Sequence, residues 1–179
     1  MCQCCGKPLI SEHEKCMACR NGNGFAFDRA FVLFPYTGKY QKLLASYKFQ
    51  KNTALANFFA DKMTEIINNF TIIPVPPKPG KIKKNGWDQV ELIACKLEKD
   101  SNLPVNRCLK RLASKSQKEL GRENRQTNLK GRIVAVSAVP QTAFVIDDVM
   151  TTGSTLDACA TALKEAGTKT VYGLCLFYD

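Results

Sequence analysis

The stretch Phe144-Val145-Ile146-Asp147-Asp148-Val149-Met150-Thr151-Thr152-Gly153-Ser154-Thr155 constrains this chain more than any other. An apolar run with adjacent β-branched residues predicts a buried strand. Beyond the loop, Leu156, Cys159, Ala160 and Leu163 recur at helical spacing and Gly167 follows, which predicts a helix over 154–166. The loop between them has the composition of an anion cradle. Backbone N–H groups at a helix N-terminus favour a phosphate, Gly153 lets the backbone come close, and Thr151, Thr152, Ser154 and Thr155 supply hydroxyl donors. Asp147 and Asp148 stand at the carboxyl end of the strand, where open α/β sheets bind ligands. Paired carboxylates beside a phosphate accept hydrogen bonds from sugar hydroxyls or hold Mg²⁺ through water. No Gly-Lys-Ser/Thr follows, so this is not a Walker loop.

The remaining elements agree with an α/β chain. Residues 25–36 mix aromatics with Val32 and read as a strand or hairpin. Tyr40, Leu43, Leu44 and Tyr47 share a helical face. Thr53 is placed to cap a second helix carrying Phe59, Met63, Ile66 and Ile67. A short strand over 70–75 ends at Pro76, Pro77 and Pro79. A helix follows over 88–99, with Val90, Ile93, Ala94 and Leu97 inward. Short strands are expected at 105–109, 133–136, 143–146 and 171–177. Strands alternating with helices predict a parallel sheet. The chain has 179 residues, enough for one domain and a small appendage, divided here at 1–24 and 25–179. At 45% hydrophobic residues it is not a disordered chain. No apolar run approaches the length of a membrane helix, and Met1-Cys2-Gln3-Cys4-Cys5 is no signal peptide, so a reducing cytosol is expected.

The formal charge of +10 is concentrated in two places. Lys78, Lys81, Lys83 and Lys84 have no acid between them. The stretch 110–132 carries eight basic residues, Arg111, Arg122 and Arg125 among them, against Glu119 and Glu123. These two stretches account for the whole excess, and both read as loops. Such loops either track phosphates or simply keep the protein soluble. Trp87, beside the first stretch, either stacks a nucleobase or packs on the core; Phe177 and Tyr178 pose the same choice.

Nine cysteines in a cytosolic chain point to metal or buried thiols rather than disulfides. Cys2-x-x-Cys5 and Cys16-x-x-Cys19 are two knuckles ten residues apart, the spacing of a closed structural Zn²⁺ site. Cys4 is a fifth thiol within the first knuckle, and His13 is a replacement ligand in principle. A closed site predicts no zinc catalysis. Cys95, Cys108, Cys159 and Cys175 fall on element faces as small hydrophobes.

Residues 145–155 resemble, at essentially every position, the phosphoribosyl-pyrophosphate (PRPP) signature of type I phosphoribosyltransferases. The N-terminal cysteines together with this loop resemble the ComF (ComFC-like) competence family over nearly the whole chain. Ile73-Pro74-Val75-Pro76 resembles its pyrophosphate-loop strand, and Gly86-Trp87-Asp88-Gln89 its Gly-aromatic-Asn-Gln element. Arg111, Gln117, Leu120, Arg122, Arg125 and Asn128-Leu129-Lys130-Gly131 resemble its basic loop. Asp88 stands where Asn is more usual, and Arg132-Ile133 where a small residue and an aromatic are commoner.

The resemblance implies a phosphoribosyltransferase-like parallel sheet with a zinc module. Asp147 and Asp148 would meet ribose hydroxyls, Thr151 to Thr155 the 5′-phosphate, and Val75, Pro76 and Lys78 the rest of a PRPP-like ligand with Mg²⁺. It further implies an accessory role in DNA uptake and natural transformation. Single-stranded DNA would lie on Lys81, Lys83, Lys84, Arg122 and Arg125. A helicase-like (ComFA-like) protein would be the partner, in the cytoplasm or at the inner membrane face. Two alternatives stay open: an active phosphoribosyltransferase of nucleotide salvage, and a phosphoribosyl ligand that regulates DNA or partner binding.

Overall fold

The computed structural model describes residues 1–10, 14–22, 24–113 and 131–179. In chain order the described elements are α1 (Met17–Asn21), β1 (Arg29–Pro35), α2 (Lys39–Lys48), α3 (Leu55–Ile67), β2 (Thr71–Pro74) and α4 (Lys81–Asn85). Then come α5 (Gln89–Asp100), β3 (Leu109–Arg111), β4 (Ile133–Ala135), β5 (Thr142–Met150), α6 (Ser154–Glu165) and β6 (Thr170–Tyr178). β1, β6, β5 and β2 form a parallel sheet in that order. The fold is thus α/β around a parallel sheet, as the alternation of apolar strands and amphipathic helices requires.

β5 lies between β6 and β2, and its side chains alternate between two cores. Ala143 and Val145 face a cluster with Leu156, Cys159 and Leu163 of α6. Phe144 and Ile146 face a second cluster with Phe59, Met63, Ile93 and Leu97 of α3 and α5. α6 sits very close to the sheet: a β-carbon on Gly173 of β6 would stand 2.6 Å from Leu156 Cδ1. Cys2, Cys5 and Cys16 belong to the same apolar cluster as α6 and the Met150 end of β5. The edge of β1 is engaged as well, since the Ala30 N–H donates to the Cys4 carbonyl at 2.8 Å.

Four local expectations change. Thr53 lends α3 its carbonyl, accepting from Ala56 N–H at 3.0 Å, while Ala54 is the cap residue and brings no side-chain bond. The expected strand at 105–109 divides in two. Val105 makes one parallel bridge to Ile72, and Leu109 to Arg111 turn away to pair antiparallel with β4. Ile133 to Ala135 therefore leave the parallel sheet, because a short apolar triplet takes whichever register its neighbour offers. Lys81 to Asn85, expected as loop, close one short helix.

Candidate functional site

The parallel register sets the site. Pro74 is level with Ile146, and the Val75 N–H donates to the Ile146 carbonyl at 3.0 Å. The end of β2 therefore lies beside Asp147. On the other flank Asp147 is level with Cys175 of β6. Asp147, Val149, Met150, Thr151, Gly153, Ser154, Thr155 and Leu156 line a small hollow of about 20 Å³ at the N-terminus of α6. Within the loop, Thr152 Oγ1 donates to Ser154 Oγ at 3.0 Å, and the Asp157 N–H closes the first helical turn onto the Gly153 carbonyl at 2.9 Å. Gly153 has φ +77°, a left-handed backbone that turns the chain sharply into the helix.

The two acids have different surroundings. Asp148 Oδ2 pairs with Lys48 Nζ at 2.7 Å, both side chains largely sheltered. Asp147 Oδ1 accepts the Asp148 N–H at 2.8 Å. Burial, and then the Asp148 charge, push the Asp147 carboxyl up to about 7 against the pull of that N–H, Lys48 and Arg111. Asp147 is therefore poised to ionise near neutrality, which a cation or a sugar hydroxyl would promote.

Beside the acids, Pro76, Pro77, Lys78, Pro79, Gly80, Ile82, Lys83, Leu109, Lys110 and Arg111 line an open groove of about 360 Å³. Arg111 Nε is buried and has no hydrogen-bond partner among the described residues. That orphaned donor, with Lys78, Lys83 and Lys110, suits an anion. Lys81 is engaged elsewhere: its ammonium donates to Asp88 Oδ2 and to Gln89 Oε1, each at 2.6 Å. Asp88 also caps α5, accepting from Val90 N–H at 3.0 Å and Glu91 N–H at 3.1 Å. Its carboxylate is thus matched by a cation and two N–H groups, so it adds no bare negative charge to the groove. Lys83 and Lys84 are exposed. Arg122 and Arg125, together with Gln117, Leu120, residues 128–130 and His13, lie outside the described residues.

The cysteine knuckles come together. The Sγ atoms of Cys2, Cys5, Cys16 and Cys19 all lie within 4.8 Å of one another, and Cys5 Sγ is 3.8 Å from Cys16 Sγ. A tetrahedron of thiolates about 2.3 Å from Zn²⁺ has edges of roughly 3.8 Å, so the donor set fits that ion. The Cys16 N–H points at Cys2 Sγ at 3.3 Å. Burial opposes ionisation of Cys2, but backbone N–H groups of Cys5, Cys16 and Cys4 outweigh it and bring the thiol down to about 6. Burial pushes Cys5 up to about 11. A dication would supply the positive charge that lets the other thiols ionise. Four sulfurs complete such a site.

Of the ambiguous residues, Trp87 packs edge-on against Tyr47, with ring centroids 5.5 Å apart, beside the helical core. Phe177 is fully buried. Asp157 does more than complement a helix dipole: its Oδ1 accepts the Ala26 N–H at 2.6 Å. Cys108, Cys159 and Cys175 are buried, as small hydrophobes should be, whereas Cys95 is half-buried against Glu91 and Arg107. Sequence reasoning missed Lys48. Its position at the end of α2 signals only dipole complementarity, and its acidic partner lies a hundred residues away.

No family model matches the chain. It is 25% identical over 178 residues to competence protein ComFC of Bacillus subtilis, spanning 93% of this chain and 72% of that protein. It is 28% identical over 174 residues to competence protein ComFC of Streptococcus pneumoniae, spanning 94% and 76%. With competence protein F of Haemophilus influenzae the identity is 25% over 186 residues, spanning 95% and 81%. No helix among the described residues is long and apolar enough to cross a membrane.

Proposed function

We propose that this chain, which belongs to the ComF family of competence proteins, serves that competence role by binding a phosphoribosyl ligand and single-stranded DNA. One observation carries the ligand reading. Two adjacent carboxyls, one of them paired with Lys48, stand beside a Thr/Gly/Ser loop that opens a helix at the carboxyl end of a parallel sheet. In this reading the N–H and hydroxyl groups of Thr151 to Thr155 hold a 5′-phosphate at the mouth of the small hollow. Asp147 and Asp148 accept from the ribose hydroxyls. Val75, Pro76 and Lys78 border the diphosphate side, where Arg111 brings an unpartnered donor. A Mg²⁺ ion would be held by Asp147 and Asp148 through water and would offset the phosphates' charge.

Calorimetry of the full chain with PRPP and Mg²⁺ tests this. Saturable binding that Asp148→Asn weakens is expected, and its absence would overturn the reading. Pyrophosphate release on adding free bases would move the reading to a phosphoribosyltransferase. The groove cations, with exposed Lys83 and Lys84 at its edge, support the DNA part. Neutralising Lys83, Arg122 and Arg125 together should flatten the salt dependence of oligonucleotide binding; an unchanged slope would overturn it.

A further inference from the structure

The phosphate loop and the cysteine module meet through one short segment, residues 25–30. The Phe25 ring lies on Gly153: a β-carbon on that glycine would stand 3.1 and 3.3 Å from two Phe25 ring atoms, and 3.0 Å from Met150 Cε. Phe25 stacks on Phe27 with ring centroids 4.5 Å apart, and Phe27 is buried. The next residue is tied as well, since the Ala26 N–H donates to Asp157 Oδ1 at 2.6 Å, one turn into α6. Asp28 holds the segment's far end, accepting the Val171 N–H at 2.8 Å and pairing with Lys164 at 3.0 Å. Ala30 then bonds to the Cys4 carbonyl between the ligating cysteines. Gly6 is pressed against the same backbone; a β-carbon there would stand 2.9 Å from the Ala30 carbonyl oxygen.

The helix that opens at this loop needs such support. Gly153 is its N-cap and has no side chain with which to hold the first turn. The Thr152 hydroxyl accepts the Ser154 N–H at 3.4 Å within the loop, and Phe25 and Met150 pack on Gly153 from outside. Met150 in turn shares a core with Cys2, Cys5 and Cys16.

We infer that residues 25–28 are a clamp through which the cysteine module positions the phosphate loop, with Phe25 and Asp157 as positioning residues. Metal loading of the cysteines and anion binding at Thr151 to Thr155 then reinforce each other. The second half rests on the loop being a phosphate site. By linkage the coupling is reciprocal: a bound anion raises the affinity for metal by the same factor as bound metal raises the affinity for the anion.

The test uses the full zinc-loaded chain, as wild type, Phe25→Ala and Phe25→Leu. Hydrogen exchange of the 150–157 amides reads the clamp without any ligand. Exchange should speed up in Phe25→Ala and after chelation, and Phe25→Leu should restore most of the protection. Unchanged exchange in Phe25→Ala, with its zinc retained, overturns the clamp whatever binds. The coupling is read with PRPP and with inorganic phosphate as probes. At equilibrium, ligand should raise the chromogenic-chelator concentration needed for half transfer of zinc at least about fivefold in wild type, and not in Phe25→Ala. Ligand binding with no effect on zinc transfer overturns the coupling. Faster exchange in Phe25→Ala without binding of either probe leaves the clamp standing and removes the phosphate reading instead.

Discussion

Two glycines hold matching places at the carboxyl ends of neighbouring strands. Gly80 caps α4 after β2, and Gly153 caps α6 after β5, with nearly the same left-handed backbone, φ +77° in both. Their surroundings differ. A β-carbon on Gly80 would meet nothing within 4 Å, whereas one on Gly153 would press on Phe25 and Met150. The loop after β5 is held by packing from outside the sheet. The loop after β2 projects into solvent, stiffened by its prolines and by the tie from Lys81 to Asp88 and Gln89. The first is built to fix backbone amides in space, and the second to present charge.

The largest effect should come from breaking that tie. Asp88→Ala removes the α5 cap and leaves Lys81 without its buried partner, a loss of about 2–4 kcal/mol in urea unfolding. Asp88→Asn keeps the cap geometry and releases Lys81 toward the groove. It should lose about 1 kcal/mol while tightening the binding of inorganic pyrophosphate. Looser or unchanged binding would show that the tie, and not a released Lys81, is what the β2 loop contributes.

The glycine pair gives the next effect. Gly80→Ala carries only the left-handed backbone penalty, roughly 1 kcal/mol. Gly153→Ala adds the contact with Phe25 and Met150 and should lose about 2–3 kcal/mol, with phosphate binding falling alongside. Equal losses at the two positions would erase the difference between the loops.

The β5 loop was legible because its motif is contiguous along the chain. Its apolar run, acids, hydroxyls, glycine and amphipathic helix follow one another along the chain. The cysteine site was legible for the same reason, from two tight CxxC turns. The β2 side was not. Lys81 looks like its neighbours Lys83 and Lys84 in sequence, and only the turn at Gly86 folds Asp88 and Gln89 back onto it. Lys48 finds Asp148, and Ala26 finds Asp157, through the packing of separate elements. The antiparallel pair of β3 and β4 escaped notice because three apolar residues carry no record of which edge they join.

Asp147 gives a pH-dependent difference. Its folded pKa is raised to about 7, mainly by burial, above the ordinary carboxylate value it has when unfolded. The neutral acid thus favours the fold fully below about pH 4, and that contribution is lost as the pH rises toward 7. Asp147→Asn should match wild type near pH 4 and exceed it by roughly 1–3 kcal/mol at pH 8. On the proposed function, binding of Mg²⁺-PRPP should rise more steeply through the same interval in wild type than in Asp147→Asn, where only the ligand's own phosphate ionises. An Asn variant whose advantage did not grow with pH would place the strain of the β5 loop elsewhere.

The smallest effect on the fold should come from Lys83 and Lys84. Both are exposed on α4, and neither side chain has an ion pair or hydrogen bond among the described residues. Replacing both with Ala should leave the unfolding midpoint where it is, since surface charges without partners contribute little. If both contact phosphates, the slope of log affinity against log salt for a single-stranded oligonucleotide should shrink by about 1.4. Lys81→Ala makes the opposite prediction. Its ammonium is bound to Asp88 and Gln89, so stability should fall while the salt slope stays constant. A slope change in Lys81→Ala would mean that DNA draws this lysine away from Asp88. The β2 loop would then rearrange on binding, and its fixed tie could no longer stand as the counterpart of the clamp on Gly153.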